Sequence, residues 1–234
     1  LIEMIEECKK QGFKRIDYEA DQIKKKINLL KKEWMEKWDP ILNSDEDPLN
    51  YYRIINEIYK NIEPENSIVT HDAGAPRDCM VPFYKATIPN SYIGWGKTTH
   101  LGFGIPLMIG AKMAHPERFC LNLMGDGAFG MSGLDLETAV RAELPITTVL
   151  LNNGAMSTYE GTSLIGPVSK REYGVSHMKG DYATIAKGMG AEGIRVEKPH
   201  EMGKALKTAQ HLNQDGKTVL IEVIANIEGR RSKF

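Results

Sequence analysis

In the stretch Leu121-Asn122-Leu123-Met124-Gly125-Asp126-Gly127-Ala128-Phe129-Gly130 an apolar run leads directly into a glycine-rich turn, which indicates a strand that ends at Gly125-Asp126-Gly127. A second stretch, Val149-Leu150-Leu151-Asn152-Asn153-Gly154-Ala155, ends another apolar run in two asparagines. Residues 128–151 lie between the two turns, which is enough chain for one helix and one strand. The spacing therefore predicts two neighbouring strands whose carboxyl ends carry Asp126 and the asparagines.

These two turns have the chemistry of a magnesium and diphosphate site. Carboxylate, amide and backbone carbonyl oxygens are hard ligands that suit Mg2+ completed by phosphate oxygens. Glycine-rich turns that open a helix supply backbone N–H groups for phosphate. Either turn alone is more typical of an ordinary structural turn. The two together, each after a strand and at this spacing, favour a Mg2+–diphosphate site.

The rest of the chain after residue 60 alternates apolar runs with helical patterns. The run 146–151 does not alternate with polar residues, which indicates a strand covered on both faces. Strands are predicted at 67–71, 91–93, 119–124, 146–151, 193–196 and 219–224. Helices are predicted near 76–86, 102–115, 133–143, 181–189 and 199–213. This order predicts an α/β fold, a doubly wound and mostly parallel sheet with helices on both faces, whose ligands bind beyond the carboxyl ends of the strands.

The first part of the chain has a different composition. Residues 1–60 hold 12 basic and 13 acidic residues but a single glycine, Gly12, out of 22. Apolar residues at three- and four-residue steps predict helices at 1–10, about 17–38 and 48–60. We expect residues 1–47 to be the helical tail of a preceding central domain with its linker, and residues 48–234 to form the α/β domain.

The composition excludes several function classes. A net charge of −1 gives no basic footprint for nucleic acid. No apolar run reaches the roughly 18 residues of a membrane span. Three widely spaced cysteines rule out a disulfide framework and indicate free thiols in a reducing cytoplasm. Because the chain begins at Leu1, we expect a fragment or a processed product.

The two turns together resemble the diphosphate-binding signature of thiamine diphosphate-dependent enzymes. The stretch Trp95-Gly96-Lys97-Thr98-Thr99-His100-Leu101-Gly102-Phe103-Gly104-Ile105-Pro106-Leu107-Met108-Ile109-Gly110-Ala111 resembles the cofactor-supporting segment of the acetolactate synthase group. The order of these segments along the chain also matches that of the family, with Thr70-His71-Asp72-Ala73-Gly74 opening the domain. The resemblance spans about residues 48–227 and implies the thiamine diphosphate-binding fold.

The resemblance implies specific site residues. The metal would be bound by Asp126, Asn153 and the main-chain carbonyl of Ala155. The cofactor would be bound by those residues and by Gly74, Ala75, Thr99, Leu101, Gly125, Gly127 and Ala128. Ala128 stands where the family often has serine, and Gly74-Ala75-Pro76 where it often has Gly-Gln-His. The side-chain contacts of that serine and that glutamine are therefore not carried over to this chain. Leu101 matches a bulky residue that bends the cofactor, although ordinary core packing is the alternative.

Three residues are candidate catalytic groups: His100, Tyr159 and Glu160. His100 could transfer a proton near neutral pH or make a structural hydrogen bond. Tyr159 and Glu160 follow the second turn, where relatives line the substrate pocket. Residues 161–180 could close over the site or form an ordinary surface loop.

The resemblance implies 2-oxo acid decarboxylation with carboligation, catalysed by thiamine diphosphate and Mg2+. The alternatives are a 2-oxo acid decarboxylase or its split subunit, and a non-catalytic cofactor-binding subunit. FAD is a further cofactor of some relatives, but its site would lie mainly outside this chain. The family completes its site with a pyrimidine-binding domain or subunit, so we expect a homo-oligomer (dimer or tetramer) and no activity from this chain alone.

Overall fold

The computed structural model describes residues 1–13, 17–94, 100–156, 171–174 and 177–232; the side chains of residues 17 and 18 also lie outside the description. The described chain divides into two compact units, Leu1–Ile41 and Leu42–Phe234. Over these described ranges, no helix is both long and apolar enough to cross a membrane.

The first unit is helical. Helix α1 spans Ile2–Lys10, and α2 spans Asp17–Leu42, running past the end of the unit. Within α2 the rings of Trp34 and Trp38 lie 6.1 Å apart. The two predicted helices are confirmed, whereas the assignment of residues 1–47 to a preceding domain stays a prediction.

The second unit is built on a five-stranded sheet. Every strand pair is parallel, and the order across the sheet is β1-β2-β3-β5-β4. The strands are β1 (Ser67–His71), β2 (Phe119–Gly125), β3 (Thr147–Asn152), β4 (Glu192–Val196) and β5 (Val219–Ile224). The central strands are buried along nearly their whole length, as the non-alternating apolar runs predicted.

Helices cover both faces of this sheet. They are α3 (Tyr51–Asn61), α4 (Ala75–Met80), α5 (Gly104–Ala114), α6 (Asp126–Ser132), α7 (Asp135–Arg141), α8 (Tyr182–Gly188) and α9 (Met202–Gln214). Short 3-10 turns lie at Pro64–Asn66 and Pro199–Glu201. Helices α5, α6 and α8 contact the strands on one face, and α4 and α9 contact them on the other, with α3 packed on α4 and α9. The predicted doubly wound α/β fold is confirmed.

The core on the α5 face shows why the chain folds this way. Successive residues of a strand point to opposite faces, so alternate apolar positions of each strand meet one layer of helices. Ile68, Cys120 and Leu150 form a buried cluster with Ile105 and Leu136 from the helices. Burying side chains of this size contributes about 1.5–3 kcal/mol each.

Three sequence predictions differ from the structure. The helix predicted near 76–86 ends at Met80. Residues 91–93 form no strand of the sheet; Tyr92 makes a single parallel bridge to Val69. Helix α6 begins at Asp126 and was not predicted, because its glycines disfavour a helix by local propensity. Its close approach to β2 and β3 outweighs that local preference.

The chain that enters α3 is fixed at the carboxyl end of β5. The backbone N–H of Leu49 donates to Ile224 O at 3.2 Å, and Asn226 N–H donates to Leu49 O at 2.8 Å. Arg230 bonds both carboxylate oxygens of Glu46 at 2.7 Å. Arg230 also bonds the buried carboxylate of Glu228, so both ends of this unit meet at one edge of the sheet.

Candidate functional site

Three turns lie side by side at the carboxyl edge of the sheet. In the parallel register His71 of β1 is opposite Leu123 of β2, and Gly125 of β2 is opposite Leu151 of β3. The turns that follow these strands are therefore neighbours: 72–75, 125–128 and 152–155. Ligands of doubly wound sheets bind at this edge.

Asp126 is the charged group at the centre of these turns. It is the first residue of α6 and is 2% exposed. Its Oδ1 accepts a hydrogen bond from Gly127 N–H at 2.7 Å. Its Oδ2 is buried and has no hydrogen-bond partner among the described residues. A buried carboxylate oxygen without a donor costs free energy, so a cation or a hydrogen-bond donor placed at this atom would be stabilising.

The surroundings of Asp126 shift its titration. Burial raises the pKa of Asp126 above that of an ordinary aspartate, because the charged form loses its hydration. The N–H groups of Gly127, Gly154 and Ala155 lower that pKa in part. These N–H groups belong to both predicted turns. Those of Gly154 and Ala155 donate to the asparagine side chains of their own turn, at 3.3 and 2.9 Å, and act on Asp126 as neighbouring dipoles. The structure therefore brings the Gly125-Asp126-Gly127 turn and the Asn152–Ala155 turn together around one carboxylate.

The two asparagines of the second turn are held on different sides. Asn152 donates from Nδ2 to Glu222 Oε1 at 2.6 Å and to Gly180 O at 3.2 Å. Asn153 donates from Nδ2 to the Tyr51 hydroxyl at 2.6 Å. The Oδ1 of Asn153 accepts from Ala155 N–H at 2.9 Å and keeps a second lone pair. Asn153, rather than Asn152, is thus the asparagine beside Tyr51 and Ala155.

The backbone of the turns requires glycine at defined positions. Gly74, before α4, has φ 81° and ψ −142°, and Gly154 has φ 65°. A Cβ built on residue 127 lies 3.1 Å from Met156 Cγ, so a side chain there would require Met156 to shift. These glycines let the main chain approach a ligand closely. Ala128 is 2% exposed and belongs to the core, so only its backbone is suited to such a contact.

Asp72 ties the first turn to the loop that carries Leu101. Its side chain is fully buried. Oδ1 accepts from Ala73 N–H at 2.7 Å and from Gly102 N–H at 2.9 Å, while Oδ2 accepts from Gly104 N–H at 2.9 Å. Leu101 is half-buried against the α5 core cluster. The carboxylate of Asp72 therefore fixes the loop that presents Leu101.

His100 lies on the exposed side of that loop. Its Nδ1 is 3.1 Å from Leu101 O, and its ring lies 6.2 Å from the ring of Phe103. Thr99, Tyr159 and Glu160 lie outside the described residues, as does most of the predicted closing segment 161–180. The catalytic roles of His100, Tyr159 and Glu160 stay predictions.

The residues present fit a magnesium ion with a diphosphate. Asp126 has a buried oxygen with no partner among the described residues, and the neighbouring turn offers the side-chain oxygen of Asn153 and the backbone carbonyl of Ala155. The described part of the chain holds no group of three His, Cys, Asp or Glu side chains that could bind a metal alone. A site with one carboxylate leaves coordination positions for phosphate oxygens, as Mg2+ commonly requires.

Sequence reasoning did not find three residues that shape the site: Tyr51, Asp72 and Glu222. Each reaches the site across at least 30 residues of chain: Tyr51 to Asn153 over 102, Asp72 to Gly102 over 30. Asp72 carried a signal, because a charged residue directly after a buried strand needs a partner. Glu222 carried a similar one inside an apolar run. Tyr51 carried none, since a tyrosine at a helix start is ordinary.

Comparisons with known proteins match this part of the chain to one family. The family model described as thiamine pyrophosphate enzyme, C-terminal TPP binding domain, matches residues 72–223. A probable acetolactate synthase large subunit of Methanococcus aeolicus is 27% identical over 215 residues, covering 86% of this chain and 36% of the relative. A sulfoacetaldehyde acetyltransferase of Castellaniella defragrans is 31% identical over 180 residues, covering 75% and 29%.

A solved structure supports the fold. The thiamine diphosphate-dependent 4-hydroxybenzoylformate decarboxylase of Rhodococcus jostii RHA1 superposes with a TM-score of 0.66 at 23% identity, covering 80% of this chain and 34% of that one. This chain thus spans about a third of the length of the proteins it matches. With the matched residues enclosing all three turns, the chain belongs to the thiamine pyrophosphate enzyme family and contains its C-terminal cofactor-binding domain.

Proposed function

We propose that residues 48–234 bind thiamine diphosphate with Mg2+ and form half of the active site of an acetolactate synthase-like enzyme. That enzyme would decarboxylate 2-oxo acids and join the remaining carbon unit to a second carbonyl compound. The observation that carries the proposal is the buried Oδ2 of Asp126, which has no hydrogen-bond partner among the described residues. An isolated carboxylate at such a depth is costly unless a cation neutralises it.

The three turns share two tasks in this proposal, metal binding and diphosphate binding. Asp126 Oδ2, Asn153 Oδ1 and the carbonyl of Ala155 hold the metal. Backbone N–H groups of Gly127 and Ala128 donate to the diphosphate, with Gly74 and Ala75 beside it. Bound thiamine diphosphate supplies an electron acceptor for the pair released when a 2-oxo acid loses CO2.

A second candidate reaction is decarboxylation of a 2-oxo acid without carboligation. The names of the similar proteins include a synthase, an acetyltransferase and a decarboxylase, all sharing this region. We infer that this region serves cofactor binding and that substrate choice depends on residues elsewhere. A 2-oxo acid decarboxylase, whole or split, is the second candidate, favoured by the decarboxylase fold match.

The site is proposed to be completed by a pyrimidine-binding domain or subunit, with a homo-oligomeric assembly in the cytoplasm. This chain corresponds to about a third of the length of its relatives, which leaves about two thirds of their length for such a domain. Turnover of pyruvate by the 234-residue chain alone would contradict this. With a chain that carries the pyrimidine-binding domain added, acetolactate as product supports the synthase, and acetaldehyde supports the decarboxylase.

Calorimetry tests the cofactor site directly. Thiamine diphosphate is titrated into the chain with Mg2+ and, separately, with EDTA. We expect binding that needs Mg2+ and that weakens at least about tenfold in Asp126→Asn, because a neutral amide cannot balance the metal charge. The matched control is Asp215→Asn, which changes an exposed aspartate. Equal binding by Asp126→Asn and wild type would refute the proposed metal site.

A further inference from the structure

The start of helix α3 brings a tyrosine hydroxyl to the proposed metal site. Tyr51 is the first residue of α3 and is 3% exposed. Asn50 caps the helix by accepting Arg53 N–H at 2.7 Å, and Leu49 is bonded to the end of β5. Bonds on the chain just before Tyr51 therefore fix its position relative to the sheet edge.

The bond between Tyr51 and Asn153 has a defined direction. Asn153 Oδ1 accepts from Ala155 N–H at 2.9 Å, so the other end of the carboxamide must be the NH2 group. The reversed amide would place two donors, Nδ2 and Ala155 N–H, against each other. The hydroxyl of Tyr51 is thus the acceptor of the 2.6 Å bond from Nδ2.

The neighbouring asparagine is held by a different partner. Asn152 is bonded to Glu222, which is fully buried and also accepts Ala183 N–H at 3.0 Å. Exchange of roles between the two asparagines would break both sets of bonds.

We propose that Tyr51 is a positioning residue of the metal site: its hydroxyl holds the carboxamide of Asn153 so that Oδ1 is directed at the cation beside Asp126. The inference rests on the proposed function, since it assigns a metal to this turn. Partners of metal ligands fix ligand orientation, and their loss commonly costs 10- to 100-fold in metal affinity. Tyr51 contacts Asn153, the proposed metal ligand, and would not contact the cation itself. It therefore acts by orienting the side chain of Asn153.

The test compares two tyrosines that are adjacent in sequence. Tyr51→Phe removes the hydroxyl that holds Asn153. The control, Tyr52→Phe, removes an equally buried hydroxyl that donates to Arg230 O at 2.9 Å. Mn2+ is the probe, titrated in the presence of thiamine diphosphate and followed by electron paramagnetic resonance. We expect the dissociation constant of Mn2+ to rise about tenfold in Tyr51→Phe and to change less than about twofold in Tyr52→Phe.

A second readout needs no metal. The side-chain NH2 resonances of Asn153 are recorded by nuclear magnetic resonance in the metal-free chain and assigned with Asn153→Asp. Loss of the hydrogen-bonded shift in Tyr51→Phe, but not in Tyr52→Phe, supports the inference; an unchanged signal overturns it. An Mn2+ affinity that falls equally in both variants also overturns it. If wild type binds no Mn2+ while the resonance responds to Tyr51→Phe, the proposed function fails and the orienting bond stands.

Discussion

Replacing Asp72 by asparagine tests how the site loop is held. Asp72 is fully buried and binds three backbone N–H groups through both carboxylate oxygens. Two of these donors, Gly102 and Gly104, lie about 30 residues further along the chain and flank the start of α5. The amide has the same shape but offers a single acceptor oxygen.

The cost follows from the geometry. With Oδ1 kept toward Ala73 and Gly102, Nδ2 faces Gly104 N–H, and two donors oppose each other. Hydrogen bonds to a charged group contribute about 1.5–3 kcal/mol, and a buried donor left without an acceptor costs about 1–3 kcal/mol. We expect Asp72→Asn to lower the free energy of unfolding by about 2–4 kcal/mol. With a urea slope near 2 kcal/mol/M, the midpoint falls by about 1–2 M.

Urea unfolding followed by far-ultraviolet circular dichroism measures the midpoint, and amide hydrogen exchange locates the effect. We expect faster exchange at Gly102 and Gly104 than in wild type. The control, Asp215→Asn at an exposed position, should stay within about 0.5 kcal/mol. A midpoint for Asp72→Asn equal to that of the control, with unchanged exchange at both glycines, would show that the carboxylate does not hold the loop.

Three further perturbations test the core and the termini by urea unfolding. Gly104→Ala places a Cβ 2.2 Å from Asn122 Oδ1 and should lower the free energy of unfolding by about 1–3 kcal/mol. The control, Gly110→Ala in the same helix, meets no atom within 4 Å and should be neutral or stabilising. Equal effects of the two substitutions would refute the packing argument. Glu222→Gln replaces one acceptor oxygen by an NH2 group, which then faces the N–H donor of Asn152 or of Ala183. We expect the free energy of unfolding to fall by about 2–4 kcal/mol; a fall below about 0.5 kcal/mol would contradict the role of Glu222 as an acceptor. The hydrogen bond from Arg230 lowers the pKa of Glu46. The stabilisation that this bond gives to the folded chain is therefore present above the ordinary glutamate pKa and is lost as the pH falls through the lowered value. Glu46→Gln should therefore be less stable than wild type at pH 7 and approach it near pH 3; a difference that is independent of pH would count against this pairing.

Local patterns predicted the sheet well because a strand buried on both faces has a distinctive composition. The run 146–151 predicted β3 within one residue at each end, and 67–71 predicted β1 without error. Helix α6 was missed because Gly127 and Gly130 disfavour a helix locally, and its packing against the sheet compensates. The strand predicted at 91–93 lacked that support and makes one bridge.

Short local patterns were enough to predict the doubly wound fold, the turn that carries Asp126 and the turn that carries Asn153. Only tertiary packing leaves Asp126 Oδ2 without a partner among the described residues and brings Asp72 to the loop of Gly102. It also decided that Tyr51 holds Asn153 across 102 residues. Such contacts depend on which strands and helix ends become neighbours when the apolar faces are buried, and no local pattern encodes a distance between segments so far apart.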